Sequence, residues 1–396
     1  MSLHRRIAVK CGTLYALLAL TGCLQAHELE PNTEVSLRTG AVIGGFEADS
    51  PKLNAVGSLS RLKMFETVDG DVDAGLPAVE PRLNMSCSGA LLNDRTVLTA
   101  KHCTGEFALA ARSDETLVFA LGPDASHPTA YATVIDLEEA PGGTQGFARN
   151  GHDVAVLHLL EPLPLEGARP IKLGTLDDTQ LGQEFAGIGY GQSDNHDTGK
   201  HRRIGGLKLR ALEGRTYELL LGSFEAFFLE LRGFTLPPEC VQPTPEAAAT
   251  ELCKLVAADR VVYESTTLEQ AGDMLLSSEG GGQPCFGDSG GPLLRANEAG
   301  ELVAYGVVSG GVSSASLRCD HGAVYARFTP EVMTFLEQAL LWQDPCQDLP
   351  AAGQCAGDTA RRCSTLAEGK RRVIEINCAT IGLHCGKDPD QGVTCQ

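Results

Sequence analysis

Cys285-Phe286-Gly287-Asp288-Ser289-Gly290-Gly291-Pro292 is the stretch that decides how the rest of the chain is read. A serine bracketed by glycines sits where the backbone turns tightly and approaches a ligand closely, because residues without a Cβ permit both. Gly287 to Gly291 also fits the G-x-S-x-G nucleophile elbow, which needs a strand before it, a helix after it, and an Asp and a His following in that order. Asp320 and His321 follow, but Glu279 to Pro284 reads as no strand and Pro292-Leu293-Leu294 opens no amphipathic helix. The plainest alternative is a glycine-rich turn in a β protein, so partners elsewhere must decide.

The chain has 396 residues, enough for a large core and more than one domain. Its 45 glycines and 21% charged residues suit a loop-rich β protein. A formal charge of -19 argues against nucleic acid as a partner, since no basic surface exists to displace counterions.

The N-terminus reads as an address. His4, Arg5, Arg6 and Lys10 precede an apolar run from Leu14 to Leu20 that is too short to span a bilayer, which is the pattern of a signal peptide. Leu20-Thr21-Gly22-Cys23 closely resembles a bacterial lipobox, whose cysteine carries the lipid. The expected location is therefore extracytoplasmic, at a membrane through Cys23. Setting aside Cys11 and Cys23, 12 of the 14 cysteines remain, an even number in a compartment where disulfides persist. Six of those lie between Cys346 and Cys395.

The expected divisions are a signal peptide over 1–22, a linker or pro-segment over 23–41, a large domain over 42–343 and a Cys-rich module over 344–396. Glu66 to Pro81 reads as an irregular acidic surface loop. Short apolar or alternating runs follow at Val97–Ala100, Leu117–Leu121, Val154–Leu159, Phe185–Ile188, Leu207–Leu212, Tyr217–Leu221, Val303–Ser309 and Ala323–Phe328. Many short strands with turn signals predict an all-β sandwich or barrel. Only Glu331 to Trp342 carries a helical stripe, with Val332, Phe335, Leu336, Ala339 and Leu340 on one face.

A serine hydroxyl is a weak nucleophile near neutral pH, so it needs a general base and a third group to orient that base. His102 lies at a strand's end in Val97-Leu98-Thr99-Ala100-Lys101-His102-Cys103. Asp153 opens the apolar run Val154-Ala155-Val156-Leu157, where a carboxylate can be buried. Taken singly, each has a structural explanation; His152 and His321 keep theirs.

Cys87-Ser88-Gly89-Ala90-Leu91-Leu92 through Cys103 resembles the histidine block of chymotrypsin-like, trypsin-family serine proteases. Asp153-Val154-Ala155-Val156-Leu157 resembles their aspartate block, and Cys285 to Pro292 their serine block. The order His, Asp, Ser is that of this family and not of subtilisins or α/β-hydrolases. The resemblance covers about residues 42 to 343 and implies an all-β double six-stranded barrel with a C-terminal helix. It implies an endopeptidase acting on protein or peptide substrates through an acyl-enzyme, with catalytic His102, Asp153 and Ser289. Gly287 and Ser289 would supply the oxyanion hole, and no cofactor or metal is called for. Because His102 must be neutral to act as base, activity should fall on the acid side.

Val42-Ile43-Gly44-Gly45 is similar to the family's new N-terminus after zymogen cleavage, whose amine pairs with the residue corresponding to Asp288. Val42 follows Ala41 rather than a basic residue, so an activating protease that accepts small residues is expected, or a cut near Arg38 with trimming. By the same resemblance Gln283, Ser309, Gly310, Gly311 and Ala323 would contact substrate. Gln283 stands where trypsins carry an aspartate, so the pocket base cannot favour Lys or Arg by a charge-assisted contact. An uncharged side chain is expected there.

Cys87 with Cys103, Cys240 with Cys253 and Cys285 with Cys319 are the simple pairings. The stretch from Gln192 to Gly282 is longer than the family usually allows, and its loops either extend or restrict the cleft. In the tail, three disulfides would replace a core, with fifteen connectivities open and a basic cluster of Arg361, Arg362, Lys370, Arg371 and Arg372. Two rivals stand beside the protease: a folded but inactive protease-like binding protein, and an esterase using the same serine.

Overall fold

The computed structural model describes residues 46–67, 78–142, 152–165, 167–192, 199–268, 272–277, 283–311, 319, 322–365, 370–388 and 392–396, which belong to one compact unit. Residues 1–22, expected to be a signal peptide, and Cys23, Arg38, Val42, Asp320 and His321 lie outside the described residues.

Two six-stranded barrels carry the site. The first is closed from β1 (Val56–Thr67), β2 (Ala78–Leu91), β3 (Thr96–Thr99), β4 (Thr116–Leu121), β5 (Ala130–Glu139) and β6 (Ala155–Leu159), in the order β1-β2-β3-β6-β5-β4. The second uses β7 (Glu184–Gly189), β8 (Arg203–Ala211), β9 (Asp273–Ser277), β10 (Pro292–Ala296), β11 (Leu302–Gly311) and β12 (Ala323–Arg327). Its pairings run β7-β8-β9-β12-β11-β10 and return to β7, which repeats the strand order of the first. The all-β, double-barrel expectation therefore holds.

Register places the chemistry. β3 and β6 are antiparallel, with Thr96 opposite His158 and Thr99 opposite Ala155. The residues just after β3 and just before β6 therefore emerge at the same end, which brings His102 to Asp153. Every side chain of both strands is buried, which is why they read as unbroken apolar runs rather than as alternation.

One core cluster runs through the first barrel and on to Ile188, Tyr190, Leu294, Val307 and Phe328 of the second half. Polar links cross the same seam. The fully buried Arg202 donates to the carbonyls of Ala48 at 2.8 Å and Leu53 at 2.9 Å, and the Tyr190 hydroxyl donates to Val56 O at 3.0 Å. A buried guanidinium is tolerated because its donors all meet fixed acceptors.

Two expectations are corrected. Thr67 pairs with Ala78, so the acidic stretch continues the β1–β2 hairpin rather than leaving it at Glu66, and only 68–77 lie outside the described residues. A two-stranded ribbon pairs its inward-facing backbone groups across the strands and leaves the outward-facing ones to water, so polar residues suit it as well as an apolar run.

Tyr217–Leu221 is not a strand. It falls in α2 (Thr216–Leu221), the first of four helices after α1 (Gly105–Arg112): α2, α3 (Phe224–Arg232), α4 (Pro245–Ala248) and α5 (Glu251–Ser265). So short an apolar run carries no decisive period, and tertiary neighbours decide it. Tyr217 and Leu221, one helical turn apart, pack against Phe224, Phe227, Phe228, Val256 and Tyr263. Ser223 caps α3 by accepting from the Ala226 N–H, and Gly233 ends it in the left-handed conformation at φ 78°. Arg232 grips Asp259 through two bonds of 2.8 and 2.6 Å, and Cys240–Cys253 staples the turn before α4 to α5. The insertion therefore has its own core and clasps.

The C-terminal helix, α6 (Pro330–Ala339), ends three residues before the predicted Trp342 and buries Val332, Leu336 and Ala339. Trp342 then stacks on His158 at 4.2 Å between ring centroids and donates to Asp136 Oδ2 at 3.0 Å. Beyond it, Cys346–Cys363, Cys355–Cys385 and Cys378–Cys395 pin a module whose apolar core is little more than Ala360, Cys378 and Val393. Three of the five residues of its basic cluster bind nearby groups: Arg361 on Glu375, Arg371 on Asp344 and Lys370 on Leu137 O.

Candidate active site

His102 sits in the 3-10 turn Lys101–Thr104 that leaves β3, and Asp153 sits two residues before β6. His102 Nδ1 lies 2.8 Å from Asp153 Oδ2, and the His102 backbone N–H donates to Oδ1 at 2.9 Å. The Ser309 hydroxyl donates to Oδ2 at 2.6 Å. Burial pushes the Asp153 carboxyl up, but the His102 ring, its charge, the Ser309 hydroxyl and the His102 N–H outweigh it, and the group stays below the usual aspartate range. A carboxylate only accepts, so it holds the imidazole proton on Nδ1 and leaves Nε2 free as a base. His152, just before, takes a positive φ of 58°, which a residue with a Cβ rarely adopts.

Lys101, beside the histidine, is itself buried. Its ammonium donates to Ala140 O at 2.5 Å and Gly142 O at 2.6 Å, tying the His102 turn to the end of β5. Burial holds it below the usual lysine range, against the opposing charges of Glu139 and Asp153.

The serine loop is held from both barrels. The Ser88 N–H donates to Ser289 O at 2.7 Å, while the Ser88 hydroxyl donates to Gly287 O at 2.8 Å and accepts from the Tyr190 N–H at 3.0 Å. The N–H groups of Asp288, Gly290 and Gly291 each reach a backbone carbonyl. Those of Gly287 and Ser289 donate to no acceptor among the described residues. Gly290, at φ 78°, must be glycine: a Cβ there would lie 2.1 Å from Thr99 Oγ1 and 2.5 Å from Ser88 O.

Asp288, next to Ser289, is buried against Gly189 and Gly191. Its carboxylate accepts from the Gly191 N–H at 2.8 Å and the Cys285 N–H at 2.9 Å, with no ion pair among the described residues. Burial pushes its carboxyl up to about 7, opposed by those two N–H groups and the charge of Arg203. Gly191 is glycine for this carboxylate, which a Cβ would meet at 2.5 Å.

Ser289 and His102 line one cavity of about 380 Å³. It is also lined by Pro284, Cys285, Phe286, the Val308–Gly311 edge and Cys319, and by Tyr217, Phe227, Leu231 and Val262 of the helical insertion. Gln283 is buried, lies off this lining, and its Oε1 has no partner among the described residues. Ala323 is also off the lining, enclosed in the second barrel and paired with Gly311. The cysteines near the site pair as Cys87–Cys103 and Cys285–Cys319. Cys87, His102 and Cys103 bring three donor atoms close together, but both sulfurs are used in the disulfide and are not thiolate ligands for a metal.

Four features of the site escape a reading of the sequence: the Ser88 hydroxyl, the Lys101 anchor, the Ser309 side chain on Asp153, and the helical wall. Only the wall leaves a local signal, in Phe224, Phe227, Phe228 and Leu231 at i, i+3, i+4 and i+7 behind the cap Ser223.

The Trypsin family model matches residues 76–214 and 255–335. A search of curated proteins finds no match. The unmatched residues between the two segments hold α2, α3 and α4 and the first turn of α5, so the helical insertion is what interrupts the family pattern. With more than half of the chain matched, and with two like-ordered barrels meeting at the serine loop, the chain belongs to the trypsin family of chymotrypsin-like serine proteases.

Proposed function

We propose that the chain is a serine endopeptidase whose nucleophile is Ser289. The observation that carries this reading is the 2.8 Å contact from Asp153 to His102 Nδ1, made by a histidine that shares a cavity with Ser289. Ser289 Oγ attacks the scissile carbonyl as His102 Nε2 takes its proton; the same nitrogen returns the proton to the leaving amine. Asp153 stabilises the imidazolium. The unengaged N–H groups of Gly287 and Ser289 receive the oxyanion, a preorganised arrangement that needs no rearrangement as charge develops. Water then cleaves the acyl-enzyme.

Activation by cleavage before Val42 belongs to the same proposal, with the new amine pairing with Asp288. So does a lipid on Cys23, which would hold the uncut protein at a membrane; no cysteine lies between Leu24 and Ala41 to tether the cut halves. Release on activation predicts that the cleaved form leaves the detergent phase, and its persistence there would refute release.

A fluorophosphonate probe tests the nucleophile. The chain processed at Val42 should label and Ser289→Ala should not; an unlabelled processed chain would remove the enzyme reading.

Ser88→Ala leaves Gly287 O and the Tyr190 N–H without their shared partner, a loss of about 1–3 kcal/mol. Because it loosens Gly287, the residue whose own N–H is one oxyanion donor, kcat should fall roughly 10- to 100-fold with KM little changed. Ser88→Thr, which keeps the hydroxyl, should recover most of the rate. An equal fall in both Ser88 variants would assign the loss to packing.

A further inference from the structure

We infer that the helical insertion makes this enzyme select large apolar side chains on the acyl side of the bond it cleaves. The inference rests on the reading of Ser289 as the nucleophile.

Tyr217, Phe227, Leu231 and Val262 line the same cavity as Ser289 and His102, so a substrate acylating Ser289 must lie against them. The Ser309–Gly311 edge lines the same cavity. There β11 pairs with β12 on one side, while β10 begins only opposite Val307, leaving the other edge open among the described residues. An extended peptide added to such an edge places alternate side chains to either face. Those entering the cavity meet the helical wall.

The wall's chemistry is one-sided. Among the described residues no carboxylate, lysine or arginine lines the cavity. A charged side chain would therefore lose its water without gaining a partner, whereas an apolar one gains by being covered. Leu231 is 41% exposed and Phe286 53% exposed, apolar surfaces at the cavity that a substrate side chain would cover. A volume of about 380 Å³ lies within the range of roughly 300–1,000 Å³ typical of cavities that enclose a ligand.

The wall is also stiff. Its helices share an aromatic core, the Arg232–Asp259 pair and the Cys240–Cys253 disulfide, so little ordering remains to oppose binding. α2 and α3, which carry Tyr217, Phe227 and Leu231, lie outside the residues that match the family. The selectivity is thus a property of this chain rather than of the barrels.

Leu231→Asp, at an exposed position, and Val262→Asp, at a half-buried one beside the aromatic core, test it. Peptide pairs differing only in leucine or lysine at an acyl-side residue would be compared, with rates normalised to protein titrated by a fluorophosphonate. The ratio of kcat/KM for leucine over lysine should favour leucine in the wild type and fall about 10-fold or more in each variant. An unchanged ratio in both variants would overturn the inference. If the wild type does not titrate, the nucleophile reading fails, and binding tests the wall by itself. Fluorescence anisotropy of a labelled leucine-rich peptide on Ser289→Ala should show a Kd at least 10-fold tighter than on Ser289→Ala/Leu231→Asp; equal values would overturn the inference.

Discussion

Ser289→Ala should lower kcat for peptide hydrolysis by about 10⁶-fold, His102→Ala by a similar factor, and the double variant by scarcely more than either. The residues act as one unit: without Ser289 there is no oxygen for His102 to deprotonate, and without His102 the hydroxyl keeps its proton. Residual activity reports the oxyanion donors and substrate binding, which neither substitution removes. Asp153→Asn should cost about 10⁴-fold, because an amide in that place favours the wrong tautomer of His102. Single-turnover rates on protein cleaved at Val42 would measure all four. Multiplicative losses in the double variant would mean that His102 and Ser289 do not work on the same proton.

The second large effect is on stability, through Asp288. Burial pushes its carboxyl up to about 7 from the ordinary 3.8 of an aspartate. Between those two values the folded chain holds a proton that the unfolded chain has released. Stability in the uncleaved protein must therefore fall as pH rises through that window. The contribution is complete below 3.8 and is lost as pH passes about 7, a change on the order of 4 kcal/mol. Asp153 works in the opposite sense at lower pH: its depressed carboxyl adds stability above its unfolded value and loses it as pH falls through the folded one.

Urea unfolding of uncleaved Ser289→Ala protein from pH 4 to 8 would isolate the Asp288 effect without self-digestion. Adding Asp288→Asn should flatten the profile, since an amide has no proton to lose. Cleavage before Val42 should also flatten it, because an inserted ammonium would favour the ionised carboxylate and draw its pKa down. Equal slopes with and without Asp288→Asn would detach the pH response from this group.

Sequence and fold divide the determination of the site between them. Gly-Asp-Ser-Gly-Gly marks a tight turn locally, because such turns demand residues without Cβ atoms, and the proposed nucleophile sits on it. The runs around His102 and Asp153 mark strand ends by their apolar character, and Cys87, Cys103, Cys285 and Cys319 stand beside the blocks they brace. These signals lie within a few residues of each other, where sequence spacing and spatial spacing coincide.

The rest depends on what the barrels bring together. Ser88 and Gly287 are 199 residues apart, and Ser309 and Asp153 are 156 apart. No local pattern marks such hydrogen bonds, because they arise where two independently closed barrels meet. Tyr217–Leu221 became helix because an aromatic core took one face of it, and the tail's six cysteines settled on one of fifteen pairings through the packing of its short strands. By itself the sequence determined seven of the twelve barrel strands, the order of the three blocks and the serine. Only tertiary structure decided what clamps the serine loop and what walls the cavity, since both are built from surfaces that exist only once distant segments have packed.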